Sequence, residues 1–168
     1  MSRRVALVVV TLLASLLTGC SSDPSTSSKS SSPAPLPEVT LASFTGDEPL
    51  DVSAIKGPAV INLWASWCGP CRRDLPIYQA YAAKHSRTVT TVGIDFQDTR
   101  TDKARELIRT TGVRFPLYSD PDGMMRARAL PDLILVDAQG KVTYRRYVEI
   151  TSVDQLEKLV ETHLGVSP

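Results

Sequence analysis

The feature that most constrains how this chain can fold is an apolar run that leads directly into two closely spaced cysteines. Residues 58–65 (PAVINLWA) are nearly all apolar and include β-branched side chains, which predicts a buried central strand. Over residues 69–84 the apolar side chains recur at helical spacing, which predicts a helix with a kink at Pro76. Cys68 and Cys71 therefore fall where a central strand ends and a helix begins.

This position favours chemistry at sulfur. The unpaired N–H groups and the macrodipole at the start of a helix stabilise an anion, and the thiolate is the nucleophilic form of cysteine. Cys68 is expected at the exposed end, with Cys71 one turn further in, more buried and within reach of a disulfide. Pro70 suits the first helical turn, and Gly69 leaves the backbone accessible to a partner. We therefore predict that Cys68 and Cys71 are catalytic.

Roles other than redox chemistry are less favoured for the cysteines and their possible co-ligands. A purely structural disulfide is one alternative, but two intervening residues close too small a loop to stabilise a fold much through loop entropy. A zinc site would need a second ligand pair, and only His85 and His163 are available, both expected at helix surfaces. Met124 and Met125 make a weak copper site, because adjacent helical residues point to different faces, so one core and one rim position are expected. No metal site is predicted.

The rest of the folded part alternates strand and helix patterns. The predicted order β–α–β–α–β–β–α, after a short preface, indicates an α/β fold with a mixed central sheet and helices on both faces. Thr101 or Asp102 is expected to cap the second helix, and Gly112 to end it. The remaining predicted strands are at 39–44, 88–96, 115–118, 133–136 and 141–148, with a strand or turn at 50–55, turns at 120–123 and 137–140, and helices at 102–111, 124–129 and 153–164.

The first twenty residues have the pattern of an export signal. Arg3 and Arg4 precede an apolar stretch at 5–17 that is too short to span a membrane comfortably. It ends in Leu-Thr-Gly-Cys at 17–20, which resembles the bacterial lipobox. That resemblance implies cleavage before Cys20 and attachment of lipid to its sulfur. The alternative is a plain secretory signal with an incidental cysteine.

These patterns divide the chain into three predicted parts. Residues 1–19 are a signal peptide, residues 20–37 are the lipidated cysteine with a disordered Ser/Pro-rich tether, and residues 38–168 are the folded domain. The tether carries one apolar side chain, Leu36, and cannot bury enough surface to offset the entropy of ordering. We expect an extracytoplasmic domain that is anchored to the cell membrane by lipid.

The charge and cysteine content narrow the function. Lys and Arg number 19 against 18 Asp and Glu, so the chain has no overall basic field to attract nucleic acid. The three cysteines are too few for a disulfide-rich scaffold. Lipidation of Cys20 would leave a single pair and no odd thiol.

The segment 61–71 (INLWASWCGPC) closely resembles the strand-to-helix signature of the thioredoxin family. With the lipoprotein signal, the chain is similar to the TlpA/ResA branch of extracytoplasmic thioredoxin-like proteins over roughly residues 39–164. The resemblance implies a thioredoxin-like fold, protein thiols or disulfides as substrates, and no cofactor beyond the Cys68–Cys71 pair. It also implies reduction, for instance of apocytochrome c thiols before haem attachment, with a membrane electron donor of the CcdA/DsbD type.

The resemblance extends to residues around the cysteines. Pro131 matches the family's cis-proline, which lies against the active-site sulfurs, and the backbone of Leu130 would then bind an extended substrate peptide. An ordinary proline at the start of a strand is the alternative. Trp67 is expected to flank the sulfurs at the surface, and Trp64 to be half-buried against the sheet.

Three acidic or amide positions leave the site less certain. Asn62 stands where cytosolic thioredoxins carry a buried acid, and its amide is expected to be hydrogen-bonded. Asp98 is the approximate match to an acidic residue that handles protons in the TlpA/ResA branch, although a solvated loop aspartate is an equal alternative. Asp132 replaces the usual Thr after the proline, and the 123–131 segment is short. A carboxylate close to a thiolate would disfavour the thiolate anion. The shape of the substrate groove is therefore not predicted from the sequence.

Two function classes follow. The favoured one is a membrane-anchored thiol-disulfide oxidoreductase that acts as a reductase. The alternative is a lipoprotein that binds a ligand or metal on the same scaffold without redox turnover. A peroxiredoxin-like activity is disfavoured, because the Pro-x-x-x-Thr-x-x-Cys context is absent before Cys68.

Overall fold

The apolar run at 58–65 forms the central strand of the structure, as its pattern predicts. The structure, a computed structural model, describes residues 33–166; the predictions for the signal peptide, Cys20 and most of the tether lie outside these residues. The elements in chain order are β1 (Thr40–Ser43), β2 (Leu50–Asp51), a 3-10 helix (Val52–Ala54), β3 (Ala59–Trp64), α1 (Gly69–His85), β4 (Thr90–Phe96), α2 (Thr101–Thr111), β5 (Leu117–Asp120), β6 (Asp132–Val136), β7 (Val142–Tyr147) and α3 (Val153–Leu164).

All seven strands belong to one mixed sheet in the order β2-β1-β5-β4-β3-β6-β7. The neighbours β3, β4 and β5 are parallel, whereas β6, β7, β1 and β2 are joined by antiparallel pairs. The connections β3–α1–β4 and β4–α2–β5 step across the sheet in the same direction. Right-handed crossovers therefore place both helices on one face. The predicted mixed α/β sheet is confirmed.

One face of this sheet is covered by the α-helices, and we call it the helix face. Side chains alternate along a strand, so Val60 and Trp64 of β3 point to this face. They pack in one apolar cluster with Leu75 of α1, Leu107 of α2 and Leu156 of α3. The two cysteines belong to the same cluster.

The opposite side, which we call the second face, has a different cover. Ile61 of β3 and Ile134 of β6 point to it. They are covered by Val52 of the 3-10 helix, by Met125 in the segment before β6, and by Leu36. Helical structure therefore flanks both faces as predicted, but unequally, with all three α-helices on one side. Leu36 is 9% exposed, so part of the predicted tether packs on the domain.

The helix predicted over 124–129 does not form, and that prediction is wrong. The carboxylate of Asp120 accepts the backbone N–H groups of Met124 and Met125, both at 2.8 Å. Gly123 and Arg126 adopt positive φ angles of 71° and 53°, which a helix does not allow. Local bonds thus hold the segment as a series of turns. Met125 is 1% exposed and Met124 42%, which confirms the expected core and rim positions.

Two side chains are more buried than predicted, and a third lacks its predicted hydrogen bonds within the described residues. His85 is 5% exposed rather than a surface residue, because its ring nitrogen lies 2.6 Å from the Glu157 carboxylate of α3. Trp64 is fully rather than half buried. Asn62 is also fully buried, but its amide has no hydrogen-bond partner among residues 33–166, contrary to the expected bonded amide.

The helix ends follow the predictions in part. α2 begins at Thr101, but its capping position is Arg100, which makes no side-chain cap bond, so the expected cap at Thr101 or Asp102 is wrong. Gly112 ends α2 with a φ of 70°, as predicted. α1 is α-helical on both sides of Pro76, and the kink expected at this residue stays a prediction.

Candidate active site

The candidate active site lies where β3 ends and α1 begins. Cys68 caps the start of α1, and its sulfur accepts a hydrogen bond from the backbone N–H of Cys71 at 3.2 Å. The two sulfurs are joined as a disulfide with the Cα atoms 5.3 Å apart. When the pair is reduced, the same N–H group would point at a Cys68 thiolate. The strand and the helix thereby fix the nucleophile at the positive end of a helix dipole.

Cys68 is the more accessible of the two sulfurs, but only narrowly. It is 4% exposed and Cys71 is 0% exposed, so the order of burial agrees with the prediction while the first cysteine is less open than expected. Gly69 has open space beside it, because a Cβ there would meet only the Arg73 guanidinium at 4.0 Å. Access to Cys68 is therefore along the backbone of the Cys-Gly-Pro-Cys turn, as predicted.

Trp67 lies beside this turn at the surface, as expected. It is 52% exposed, and its indole N–H donates to the Gln97 carbonyl at 3.4 Å. Gln97 adopts a φ of 49°, which is unusual for a residue with a side chain. The indole is thus anchored by one weak bond and presents most of its ring to solvent or to a partner.

Asp98 is buried and holds the loop that leads to Cys68. One carboxylate oxygen accepts the backbone N–H of Ser66 at 2.6 Å, and the other accepts that of Arg100 at 2.9 Å. The residue is 3% exposed, so the alternative of a solvated loop aspartate is wrong. Because both oxygens are occupied, its visible task is to fix the backbone two residues before Cys68. A role in proton transfer stays a prediction.

The peptide bond between Leu130 and Pro131 is cis, as predicted. Pro131 is buried, and the partly buried side chain of Leu130 packs against both apolar clusters, including the one that contains the cysteines. Because Asp132 is the register partner of Leu63, the loop before β6 lies at the end of β3 that leads to the active-site turn. The strand-like pairing of Leu130 with a substrate stays a prediction.

Asp132 follows this proline but points away from the cysteines. It shares a face of β6 with Ile134, which is the second face. Its carboxylate receives the Nε–H of Arg145 at 2.8 Å. Burial raises the pKa of Asp132, and Arg145 opposes that effect. The carboxylate is thus occupied by an arginine on the opposite side of the sheet from the sulfurs.

Asp74 is a candidate site residue that sequence reasoning missed. It lies three residues after Cys71, which places both on one face of α1, and it is 0% exposed. Burial raises the pKa of Asp74 to about 8. The backbone of Ile150 approaches the carboxyl and lowers that pKa somewhat, but forms no hydrogen bond with it. The helical spacing contained the signal, because Asp74 lies four residues before Tyr78 and seven before Tyr81, on the same side of the helix.

A second buried carboxyl lies deeper on the same face. Asp95 of β4 is the register partner of Trp64 in β3 and is 0% exposed. Burial raises its pKa to about 8, and the charge of Asp98 raises it further. Neither oxygen of Asp95 has a hydrogen-bond partner among residues 33–166. The helix face therefore holds two carboxyl groups that are mostly, but not fully, protonated at neutral pH.

Metal ligands and membrane spans are both lacking in the part of the chain that the structure describes. No three His, Cys, Asp or Glu side chains of residues 33–166 are grouped in a way that could hold a metal ion. Over the same residues, no helix combines the length and the apolar character that crossing a bilayer requires.

Comparison with known proteins places the chain in a family. Residues 29–160 match the Redoxin family model, which is well over half of the chain, and the protein belongs to that family. It is a thiol-disulfide oxidoreductase of the thioredoxin-like superfamily, similar to the TlpA/ResA type. The predicted fold and enzyme class are thereby confirmed.

Individual relatives agree with this assignment. The chain is 31% identical over 109 residues to the bifunctional thioredoxin reductase/thioredoxin of Mycobacterium leprae, covering 65% of this chain and only 21% of that protein. It is 30% identical over 92 residues to the thiol:disulfide interchange protein DsbE of Yersinia pestis, covering 52% and 47% of the two chains.

Solved structures share the fold. The structure of MTB DsbF in mixed oxidized and reduced forms has a TM-score of 0.65 at 25% identity, over 74% of this chain and 94% of that one. A secreted Mycobacterium tuberculosis disulfide oxidoreductase homologous to Escherichia coli DsbE has a TM-score of 0.63 at 24% identity, over 74% and 96%.

Proposed function

We propose that this protein is a membrane-anchored, extracytoplasmic reductase of protein disulfides that works through Cys68 and Cys71. The observation that carries the proposal is the position of the pair. Cys68 caps α1 and receives the N–H of Cys71, and a buried carboxyl without hydrogen-bond partners among residues 33–166 lies one turn beyond Cys71. This arrangement supplies a nucleophile, a resolving thiol and a proton-carrying group within two helical turns.

The exchange takes place in two displacements. The Cys68 thiolate attacks one sulfur of a substrate disulfide, the substrate bond breaks, and the departing substrate thiolate takes up a proton. The Cys71 thiol then loses its proton and attacks the Cys68 sulfur. The second substrate thiolate leaves, and the Cys68–Cys71 disulfide forms. Two electrons pass from the protein to the substrate, which leaves with two thiols.

Asp74 is suited to the proton that Cys71 must lose. A general base is most effective when its pKa lies near the working pH, and the pKa of Asp74 is about 8. A free cysteine thiol has a pKa of about 8.5, so proton exchange between the two groups is nearly balanced. Asp74 is therefore assigned the proton-handling role that sequence reasoning gave to Asp98.

The reducing direction is supported by the Cys-Gly-Pro-Cys sequence. Reducing thioredoxins have potentials of about −270 mV, against about −120 mV for a strong oxidant such as DsbA. Turnover outside the cytoplasm needs electrons, and we propose a membrane donor of the CcdA/DsbD type. Apocytochrome c thiols before haem attachment are the substrate class that the TlpA/ResA resemblance favours. No cofactor beyond the cysteine pair is required.

The location is proposed from the N-terminal residues. The lipobox-like sequence at 17–20 favours lipid on Cys20, and residues 21–32 would let the domain stand away from the membrane. A related structure is that of a secreted enzyme, which agrees with an extracytoplasmic site. Replacing Cys20 with Ala should release the protein from membranes into the soluble fraction. Mass spectrometry of the mature N-terminus would give the lipid mass directly.

Trapping of substrates tests the exchange mechanism. The Cys71→Ser variant cannot resolve the mixed disulfide, so it should accumulate partners joined to Cys68 in the native envelope. Non-reducing gels and mass spectrometry identify those partners. The Cys68→Ser variant is the matched control and should trap none. If Cys71→Ser captures nothing that Cys68→Ser does not, the proposed exchange is contradicted.

A further inference from the structure

A basic groove lies beside the loop that carries the cis-proline. It encloses about 440 Å³ and is lined by residues from the turns before β6 and from the end of β7. We call it the arginine groove. Its charged and aromatic lining residues are Arg126, Arg128, Asp132, Arg145, Arg146 and Tyr147. The groove occupies the part of the second face where the expected helix at 124–129 is absent.

The groove adjoins the active-site loop in the chain. Ala129 and Asp132 both line it, and they lie on either side of Leu130 and Pro131. Leu130 packs against the cluster that contains both cysteines. A substrate segment that lies along the cis-proline loop would therefore continue into the groove. This inference rests on the proposed exchange of protein disulfides at Cys68.

Two of the four arginines that line the groove are free of partners among residues 33–166. Its one carboxylate, Asp132, is taken by Arg145, whose guanidinium also donates to the Met125 carbonyl at 2.8 Å. Within the described part of the chain, the side chains of Arg126 and Arg128 form no salt bridge, and both residues are exposed. The Arg146 guanidinium is engaged elsewhere, because it donates to the Arg145 carbonyl at 2.8 Å and lies over the Tyr144 ring. The lining holds four arginines against one aspartate, whereas the whole chain has a formal charge of only +1.

The groove also has an aromatic wall and a constrained backbone. Tyr147 is 62% exposed and is the register partner of Asp132 across β6 and β7. Large exposed aromatic side chains are favoured where a partner binds. Arg126 adopts a φ of 53°, and unusual backbone angles of this kind are retained mainly where surrounding structure or function requires them.

We propose that the arginine groove binds an acidic peptide segment that flanks the target cysteine of the substrate protein. The charge complement of the two free guanidinium groups, those of Arg126 and Arg128, is a short run of Asp or Glu. The exposed ring of Tyr147 can pack on the aliphatic parts of such a run. The position beside the loop that is predicted to bind substrate backbone favours a peptide over a membrane surface, because a concave groove of this size accommodates a chain segment.

The test uses two synthetic peptides that carry one internal disulfide, flanked on both sides either by Glu or by Gln. The reduced full chain is mixed with each peptide, and exchange is followed by acid quenching and chromatography. At low ionic strength, the Glu peptide should react about tenfold faster than the Gln peptide, because complementary charge raises the association rate. Added salt should reduce that ratio towards one.

Charge-reversal variants assign the effect. In R126E/R128E the rate ratio between the Glu and Gln peptides should fall to about one or below. The matched control is R87E/R114E, which changes the net charge equally at exposed positions that precede β4 and β5, at the opposite end of the parallel strands. That control should keep the ratio. Equal rates for both peptides with the unaltered protein would overturn the groove assignment while leaving disulfide exchange intact.

Two further measurements separate the remaining outcomes. If neither peptide reacts, the proposed exchange fails. Binding of a cysteine-free Glu peptide, followed by NMR, then tests the groove separately. Chemical-shift changes at Arg126, Arg128 and Tyr147 would support peptide binding there, and their absence would contradict it. Sedimentation with vesicles of phosphatidylglycerol and phosphatidylcholine tests a membrane role. Loss of vesicle binding in R126E/R128E with unchanged peptide rates would assign the groove to lipid and overturn the peptide proposal.

Discussion

The two faces of the sheet differ in whether their buried carboxyl and amide groups are hydrogen-bonded. On the helix face, Asp74, Asp95 and Asn62 are fully buried, and none has a hydrogen-bond partner among residues 33–166. On the second face, the buried acids Asp120 and Asp132 are both bonded, one to backbone N–H groups and the other to an arginine. The unbonded groups thus lie on the side that carries the cysteines.

This difference separates what the fold needs from what the chemistry needs. A buried polar group without a partner costs about 1–3 kcal/mol, and a fold has no structural reason to retain several on one side. Carboxyls that are buried and unbonded hold a proton near neutral pH, which a dithiol that gains and loses protons can use. The second face, which has no such task, pairs its acids in the ordinary way.

The largest expected effect contrasts one residue from each face. Cys68→Ser should lower turnover in an insulin-reduction assay by at least about 10³-fold, because the nucleophile is lost. Ile134→Val on the second face should cost roughly 1 kcal/mol of unfolding free energy and leave turnover within about twofold. A large loss of turnover in Ile134→Val at full folding would show that the second face takes part in the chemistry.

The next effect concerns the pH dependence of stability. In the folded state the Asp74 pKa is raised to about 8, so between about pH 4 and 8 the unfolded chain has lost a proton that the folded chain keeps. Stability therefore falls as the pH rises through this range. Asp74→Asn should remove that loss and raise the unfolding free energy by on the order of 2–4 kcal/mol at pH 7, with little gain at pH 4.

Urea denaturation at several pH values measures this change. Turnover of Asp74→Asn should fall by about tenfold or more near pH 8, where the wild-type carboxylate is ionised and the amide cannot accept a proton in its place. The exposed Asp122→Asn is the control and should change neither quantity. The gain in stability of Asp74→Asn over the unaltered protein should be larger at pH 7 than at pH 4. Equal gains at the two pH values would contradict the claim that Asp74 is buried and protonated.

A smaller effect on stability is expected from the ion pair between Asp132 and Arg145 on the second face. Asp132→Ala leaves the Arg145 guanidinium without its carboxylate and should cost about 1–3 kcal/mol of unfolding free energy. A double-mutant cycle with Arg145→Met should show that the two losses are not additive. Additive losses would mean that the pair contributes no coupling, and that the second face tolerates an unpaired charge.

The smallest effect is expected between α1 and α3. Lys84, and after it His85, lower the pKa of Glu157, so this ion pair stabilises the protein above the ordinary pKa of Glu and the contribution is lost as the pH falls through the lowered value. Glu157→Gln should lower the thermal midpoint by no more than about 3 °C at pH 7, since exposed ion pairs contribute little. Calorimetry at pH 7 and at pH 3 checks it; an equal decrease at both would indicate packing rather than charge.

The sequence predicted well the parts of the fold that local pattern determines. The apolar run at 58–65 and the helical spacing at 69–84 locate β3 and α1 to within one or two residues. The start of α1 was also readable, because Pro70 suits the first turn of a helix. The cis bond before Pro131 was also predicted, but from family resemblance rather than from the residues.

The misses come mostly from contacts between residues far apart in the chain. His85 was expected at the surface because Glu157, its partner, is 72 residues away. The helix at 124–129 failed for a local reason, because Arg126 in its middle adopts a positive φ of 53°, which a helix does not allow. Asp74 stands at a position on the core face of α1 that the helical spacing makes readable, but the family resemblance pointed to Asp98 instead.

The placement of the tryptophans has a practical consequence. The chain contains two, Trp64 and Trp67, both within four residues of Cys68, one sealed in the core and the other facing solvent. Every photon of intrinsic indole emission therefore originates next to the disulfide. Opening and closing of that bond, or arrival of a partner over Trp67, can be followed in real time without attaching a dye.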